Sequence, residues 1–527
     1  MGVDFNTFKN GPVAKWDRSN PKAVSWYFGV LLASSIFLIT PLCWGIAIDA
    51  AVTLANDKPL SASLWARYVK PEWLRKLFWI YAIAEIPFSI WYQLAARRVQ
   101  RRVRHKPVDR SLLRQLMLQC CAVGTEHFDQ DVLKSADEAD AAAGISPDIT
   151  KPASGTASPS VRRSPPLFPP GSRFDQTTEE QAAKMRLGFS NWFFCSSIED
   201  VQRGNVFEWL AWALLESKVE EIEHNVAEVE MLNDCLDAFE TRLRWKFPAG
   251  KNEDLKCVRL SIDPVNLLSR PIGFYLLVNA YTFVVEQSIR RLRGVKKVRY
   301  GKTDFLVVPP KPRSSSDDPD SFPILFLHGL GIGVGQYRFF FRHLVHHKPG
   351  AIIVLQPHIS AQLFNANFLK PPLKDELTAD VEACIRGMGI GRVEVDGGKK
   401  EDYSLTILSH SNGSMVHGWM LRAMPGWFKR NVLVDPVCFR MWEGAVCNAW
   451  TDMTLWAHEF EAASDDHVHA IVAENDMLVD VPGTVEYLAQ TGVPHTVMKG
   501  YQHGQPLCVE GEGMQIVLRH AKIKSVS

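Results

Sequence analysis

Charge imbalance is the first thing this chain lacks. Its 59 Lys and Arg residues face 58 Asp and Glu, a net charge of +1 over 527 residues. A polyanion binder carries a basic excess, so nucleic acid is excluded as a partner on this count. Ten cysteines are present, but none stands in a C-x-x-C pair or at a zinc spacing. No metal, cofactor or disulfide framework is therefore expected, and free thiols suit a reducing compartment. No cleavable leader is expected at the amino end either. Roughly the first 25 residues are mostly polar, too long and too polar a start for a signal peptide. Gly2 is followed by Asn6 where a myristoylation site would need Ser or Thr.

Long apolar runs are what the chain has instead. Residues 26–48 carry no charge and are long enough to cross a bilayer as a helix, with Pro41 inside the run. Residues 77–96 form a second run containing Glu85 and Pro87, and a carboxylate in lipid needs a partner. Arg97, Arg98, Arg101, Arg102, Arg104 and Lys106 follow it directly. Such clusters stay cytosolic, so residues 1–110 are expected to be an anchor with both ends in the cytosol. A hairpin entering and leaving one leaflet gives the same sidedness. The expectation is an integral protein of an endomembrane (ER or lipid droplet), with membrane lipids as partners. A third stretch, 271–285, is shorter, contains Asn279 and precedes Arg290, Arg291, Arg293, Lys296 and Lys297. It reads as an interfacial or lid helix.

Between these runs the composition changes twice. Residues 136–180 are rich in Ala, Ser, Pro, Gly and Asp and read as a disordered linker. Residues 181–294 read as a helical region. Trp209, Trp212, Leu215, Val219, Ile222, Val226, Val229, Leu232, Leu236, Phe239 and Leu243 recur at helical spacing, which predicts one amphipathic helix of about ten turns. Packing on the next domain or coiled-coil pairing are both open for its apolar stripe, and the oligomeric state is left open.

From residue 295 to 527 short apolar strands alternate with helices. Strands are expected at 305–308, 323–327, 351–355, 405–408, 432–434, 468–473 and 496–498. Helices are expected at 335–347, 373–386, 455–463, 482–490 and 514–520. That texture predicts an α/β class, with a mostly parallel sheet covered on both faces and function at the carboxyl ends of its strands. Four such ends carry chemistry. The run 405–408 leads into Ser409-His410-Ser411-Asn412-Gly413 and then a helix, a strand–turn–helix with a serine at the apex. After Leu327 comes His328-Gly329-Leu330-Gly331, a glycine turn with backbone donors for an oxyanion and without the lysine of a nucleotide loop. Asp476 follows one strand end, and His503 follows another, before the last helix.

The conjunction of HGLG, SHSNG, a strand-end Asp and a late His, in the order Ser411, Asp476, His503, resembles the α/β-hydrolase family. The resemblance covers 295–527 and departs from the usual G-x-S-x-G by having Ser409 first. It implies Ser411 as nucleophile, His503 as general base and Asp476 as the acid that orients it. It also implies the N–H groups of Leu330 and Asn412 as the oxyanion hole, with Gly329, Gly331 and Gly413 as the motif glycines. Asp435 is the alternative acid and Asp480 a lesser one. His328 and His410 are expected to shape their turns, while His467, His469 and His495 fall at the wrong strand ends. The function implied is a membrane-anchored serine hydrolase, cytosolic in its catalytic domain, that cleaves an ester or thioester of a small apolar, lipid-like substrate through an acyl-enzyme. An acyltransferase on the same fold and a non-catalytic membrane scaffold are the alternatives.

Overall fold

The computed structural model describes residues 36–100, single positions within 113–141, and 177–526 apart from 195, 260, 265, 266, 268, 293, 313, 314, 316, 317, 394–401, 442–454, 456–458 and 461–463. The helices in chain order begin with α1 (Ile39–Ala55), entered through a 3-10 turn at Ile36–Leu38, and α2 (Glu72–Val99), with one short helical turn at Leu64–Tyr68 between them. Then come α3 (Glu179–Ser190), α4 (Arg203–Leu215), α5 (Val219–Ile222), α6 (Val226–Leu243) and α7 (Ile272–Arg291). Contacts divide the chain into two units. One holds 1–102, 264–284 and 360–371; the other holds 103–263, 285–359 and 372–527.

In the first unit, α1 carries the apolar run beyond residue 48 to Ala55, while positions 26–35 lie outside the described residues. The second run sits inside α2, a 28-residue helix that continues through Pro87. Among the described residues two helices are long and apolar enough to cross a membrane, Ile36–Ala55 and Ile272–Arg291. The third stretch is thus a longer helix than expected. Asn279 does not interrupt it, because its amide donates to the carbonyls of Tyr275 (2.7 Å) and Ala361 (2.8 Å). Glu85 has its partners too. Fully buried, it accepts from Thr40 Oγ1 (2.5 Å), from Tyr81 OH (3.2 Å) and from the Ile272 N–H (2.8 Å). The carboxylate therefore meets the positive amino end of α7, the end of a helix where an anion is favoured.

In the second unit, two expectations need correction. The linker does not reach residue 180. Thr178 and Gln181 form a reciprocal capping box that starts α3 at Glu179, and of 136–176 only Glu138 and Ala141 are described. The ten-turn helix is broken into three. Glu216 ends α4 in the left-handed region (φ 48°), and Asn225 caps α6 through its side chain. The apolar spacing continues across the breaks because the α4 and α6 stripes enter one core. Trp192, Trp209, Leu232, Leu236 and Phe239 pack there together with Met415.

The sheet is built from β1 (Lys296–Tyr300), β2 (Thr303–Val308), β3 (Ile324–Leu327), β4 (Ala351–Leu355), β5 (Leu405–His410), β6 (Phe428–Val434), β7 (Val468–Ala473) and β8 (His495–Met498). Their spatial order is β1-β2-β4-β3-β5-β6-β7-β8. β2 is antiparallel to both of its neighbours, and all later pairings are parallel. The helices between them are α8 (Arg338–Leu344), α9 (Lys374–Met388), α10 (Gly413–Ala423), α11 (Val481–Gln490), α12 (Gln505–Cys508) and α13 (Glu512–His520). Alternate strand residues feed opposite faces. Leu306, Ile324, Phe326 and Ile353 pack with Phe340, Phe341, Val517 and Leu518 on one side. Phe305, Leu325, Leu327 and Ile352 pack with Leu377, Val381, Val416 and Met420 on the other. The helix expected over 455–463 falls outside the described residues except at Leu455, Glu459 and Phe460.

Candidate active site

Strand β5 lies between β3 and β6 with all six residues buried, so its carboxyl end opens at the middle of the sheet. The next residue, Ser411, has φ +51°, and α10 begins two residues later. A serine in the left-handed region is strained and persists only when its surroundings over-determine it. Here the Ser411 N–H donates to Val434 O (3.0 Å), and its carbonyl accepts from the Ser414 N–H (2.9 Å) and Ser414 hydroxyl (2.7 Å). Gly413 is required by contact: a Cβ there would lie 2.3 Å from Leu327 O. A Cβ on Gly329 would stand 2.8 Å from the Ser411 Cβ. The two backbones meet so closely that the turn after β3 lies against the serine.

Ser409, where glycine is usual in this motif, is accommodated behind the strand. Its hydroxyl and His417 Nδ1 are 2.8 Å apart, and His417 Nε2 is 3.0 Å from Asn431 Oδ1. The amide oxygen can only accept, so Nε2 carries the proton and the Ser409 hydroxyl donates to Nδ1. Burial holds His417 neutral, pushing its pKa down to about 4. Neither His417 nor Asn431 was singled out from sequence. The available signal was Asn431 itself, an amide directly before the apolar run Val432–Val434.

His503 comes from the loop after β8. Its Nε2 is 2.8 Å from Ser411 Oγ, and its Nδ1 is 2.5 Å from Asp476 Oδ2. The Asp476 side chain is fully buried, and its other oxygen accepts from the N–H groups of Leu478 (2.8 Å) and Val479 (3.1 Å). An imidazole so placed can take the serine proton while the carboxylate holds its tautomer. The structure therefore brings Ser411, His503 and Asp476 together.

Asp435 has a different task. It is fully buried beyond β6 at φ +44° and accepts from the N–H groups of Ala473 (2.7 Å) and Gly504 (2.6 Å). Those two amides belong to the segments that carry Asp476 and His503. Desolvation pushes its carboxyl up to about 6 against the pull of both donors. Asp480 caps α11 and pairs with Arg440 (2.7 Å). Among the described residues Asp435, Asp476 and His503 also hold ligand atoms within 4.8 Å of one another, but a cation there would compete for the His503–Asp476 hydrogen bond.

The turn that carries Leu330, expected to supply an oxyanion donor, is fixed by its neighbours. His328, fully buried, donates from Nδ1 to Gly329 O (2.9 Å) and accepts from the Gln356 N–H at Nε2 (3.0 Å). The Gly329–Leu330 peptide is planar, so holding its carbonyl aims the Leu330 N–H the opposite way. On the preceding peptide, the Gly329 N–H donates to Tyr337 OH (2.8 Å), as does Gln336 Nε2 (2.6 Å). With both acceptor positions used, the Tyr337 hydroxyl donates to His410 Nδ1 (2.8 Å). Gly331 closes the turn by donating to Ile359 O (3.1 Å). Among the described residues no protein acceptor takes the N–H of Leu330 or of Asn412. Burial pushes His328 down to about 4 and His410 down to about 3, so both rings are neutral. Tyr337 and Gln356 went unnoticed in the sequence, where nothing in their spacing marks them.

No protein-family model matches the chain, and neither does any curated protein sequence. Solved structures do align with it. It is similar to carboxylesterase CesB of Bacillus subtilis at 10% identity, over 47% of this chain and 98% of that one, with a TM-score of 0.31. It is similar to a membrane phospholipase A described as a bacterial virulence factor, at 11% identity over 48% and 95%, with a TM-score of 0.32. Naproxen esterase of Bacillus subtilis aligns at 10% identity over 46% and 97%, with a TM-score of 0.30. Strand order, strand direction and the elbow after the fifth strand decide the fold. The sheet has the α/β-hydrolase fold. In this α/β-hydrolase unit His467, with Nδ1 3.1 Å from Lys429 O, and His469 and His495, at the amino ends of β7 and β8, stand away from the serine's end of the sheet.

Proposed function

We propose that the protein is a membrane-anchored serine hydrolase acting on an ester or thioester of an apolar acyl substrate. The observation that carries this reading is the 2.8 Å approach of His503 Nε2 to the hydroxyl of a serine in a strained turn. Ser411 Oγ attacks the acyl carbon while His503 accepts its proton, and Asp476 stabilises the imidazolium. The N–H groups of Leu330 and Asn412 receive the developing oxyanion, the latter at the amino end of α10. His503 then protonates the leaving group, and water, deprotonated by the same ring, releases the acid.

Apolar surface beside these residues supports a lipid-like substrate. Leu330, whose own N–H is the proposed oxyanion donor, is 66% exposed, and Met477 (95%) and Leu478 (65%) directly follow the proposed acid Asp476. The two apolar helices support an anchor, and the basic residues after α2 and α7 favour a cytosolic hydrolase unit. Purified full-length protein, assayed against acyl esters of increasing chain length in mixed micelles, tests this reading. Turnover that rises with acyl length and vanishes in Ser411→Ala is expected. A folded wild type inert to every ester and thioester overturns it.

A further inference from the structure

At the amino ends of β7 and β8, away from Ser411, three side chains converge that the proposed chemistry does not use. His469 is the second residue of β7 and is buried; His520 is the last residue of α13; Asp465 lies in the turn before β7 with its side chain 65% exposed. The two imidazole rings stack face to face, with centroids 3.5 Å apart and planes 12° from parallel. Aromatic pairs ordinarily prefer offset or edge-on arrangements at about 4.5–7 Å, so ring–ring attraction does not account for this sandwich. Both rings turn Nδ1 toward the same carboxylate oxygen. His469 Nδ1 is hydrogen-bonded to Asp465 Oδ1, whereas His520 Nδ1 is 3.7 Å from it, too far for a hydrogen bond. One proton satisfies only one of these approaches. Parallel rings 3.5 Å apart do not aim their in-plane lone pairs at one point, so a shared cation requires the His520 ring to turn out of the stack, after which it satisfies all three groups.

The surroundings have the features of a metal site. Among the described residues the three ligand atoms lie within 4.8 Å of one another. Ligands about 2.0–2.2 Å from a tetrahedral zinc stand roughly 3.4 Å apart, so the His520–Asp465 spacing already fits and the His469–Asp465 contact opens once its proton leaves. His469 Nε2 is 2.8 Å from Thr496 Oγ1 on β8. A ligating histidine characteristically uses its second nitrogen in this way, which fixes the tautomer and frees Nδ1 for the ion. The neighbouring cation Lys522 is 3.9 Å from Asp318.

We propose that Asp465, His469 and His520 bind one divalent transition-metal ion of the zinc class, through one carboxylate and two imidazoles, with the fourth position open to water. The ion ties together the segment that continues to Asp476 (β7) and the segment that begins at His503 (α12 to α13). Binding releases the proton now shared by His469 and Asp465.

The test uses the full-length protein in detergent, stripped with a chelator and titrated with zinc chloride. One equivalent of zinc per chain and a raised unfolding temperature are expected. His520→Gln and Asp465→Asn, the first at a partly buried and the second at an exposed side chain, should lose that equivalent and the thermal shift, while circular dichroism stays that of the wild type. Thr496→Val should retain the site but bind about 10–100-fold more weakly. His503→Gln should bind zinc as the wild type does, which separates this site from the group at the serine. Absence of zinc uptake by folded wild type overturns the proposal. So does uptake that survives both His520→Gln and Asp465→Asn, or uptake abolished by His503→Gln.

Discussion

Replacing Asp476 by Asn tests which of two buried carboxylates orients the histidine. Asp476 Oδ1 accepts from two backbone amides, and only Oδ2 faces His503 Nδ1. An Asn side chain must keep its oxygen toward those amides, so its NH2 group points at Nδ1. The ring then has to accept there and carry its proton on Nε2, the nitrogen that must take the Ser411 proton. A wrong tautomer of this kind lowers kcat by about 10⁴, or roughly 5.5 kcal/mol of transition-state stabilisation. Asp435→Asn behaves differently. One of its two amide partners, Ala473 or Gly504, meets a donor instead of an acceptor, which costs about 1–3 kcal/mol of stability. The His503 tautomer is untouched, so kcat falls by no more than about 100-fold through misplacement of the loop. Hydrolysis of a chromogenic acyl ester by both folded variants separates the two roles. The reasoning is refuted if Asp476→Asn keeps activity within tenfold of wild type, or if Asp435→Asn, still folded, is equally inactive.

Other outcomes follow from the same geometry. His328, His410 and His417 are held neutral with pKa values of about 4, 3 and 4, below the value of about 6.5 they recover on unfolding. Their stabilisation is present above pH 6.5 and lost as pH falls toward 4, at about 1.4 kcal/mol per pH unit each; urea unfolding at several pH values measures the slope, and a flat profile contradicts it. Gly413→Ala forces a Cβ against a backbone carbonyl in β3 and should destabilise by about 3 kcal/mol, read by thermal unfolding. Glu85→Leu strands the Ile272 N–H and the Thr40 hydroxyl, so limited proteolysis should cut near residue 272 faster than in wild type.

Apolar strands were legible because they are buried on both faces. The expected ranges 468–473 and 351–355 coincide with β7 and β4, whose residues are all buried. β1 was missed since Lys296, Lys297 and Arg299 point to solvent from an edge strand, leaving no apolar run to see. The breaks at Glu216 and Asn225 were invisible because periodicity reports which face is buried, not whether the chain turns between two stretches that share a core. The length of α7 was hidden by Asn279, whose amide is satisfied by carbonyls that sequence spacing does not reveal. Around Ser411, the residues that follow strands stand out, whereas Tyr337, Gln356 and His417 act across the fold and leave no local pattern.

The most direct measurement is labelling of the full-length protein in membranes with a fluorophosphonate, followed by mass spectrometry of the modified peptide. The account expects a single adduct on Ser411, lost in Ser411→Ala and strongly slowed in His503→Gln. A folded wild type that takes no label, or one labelled at another serine, contradicts it.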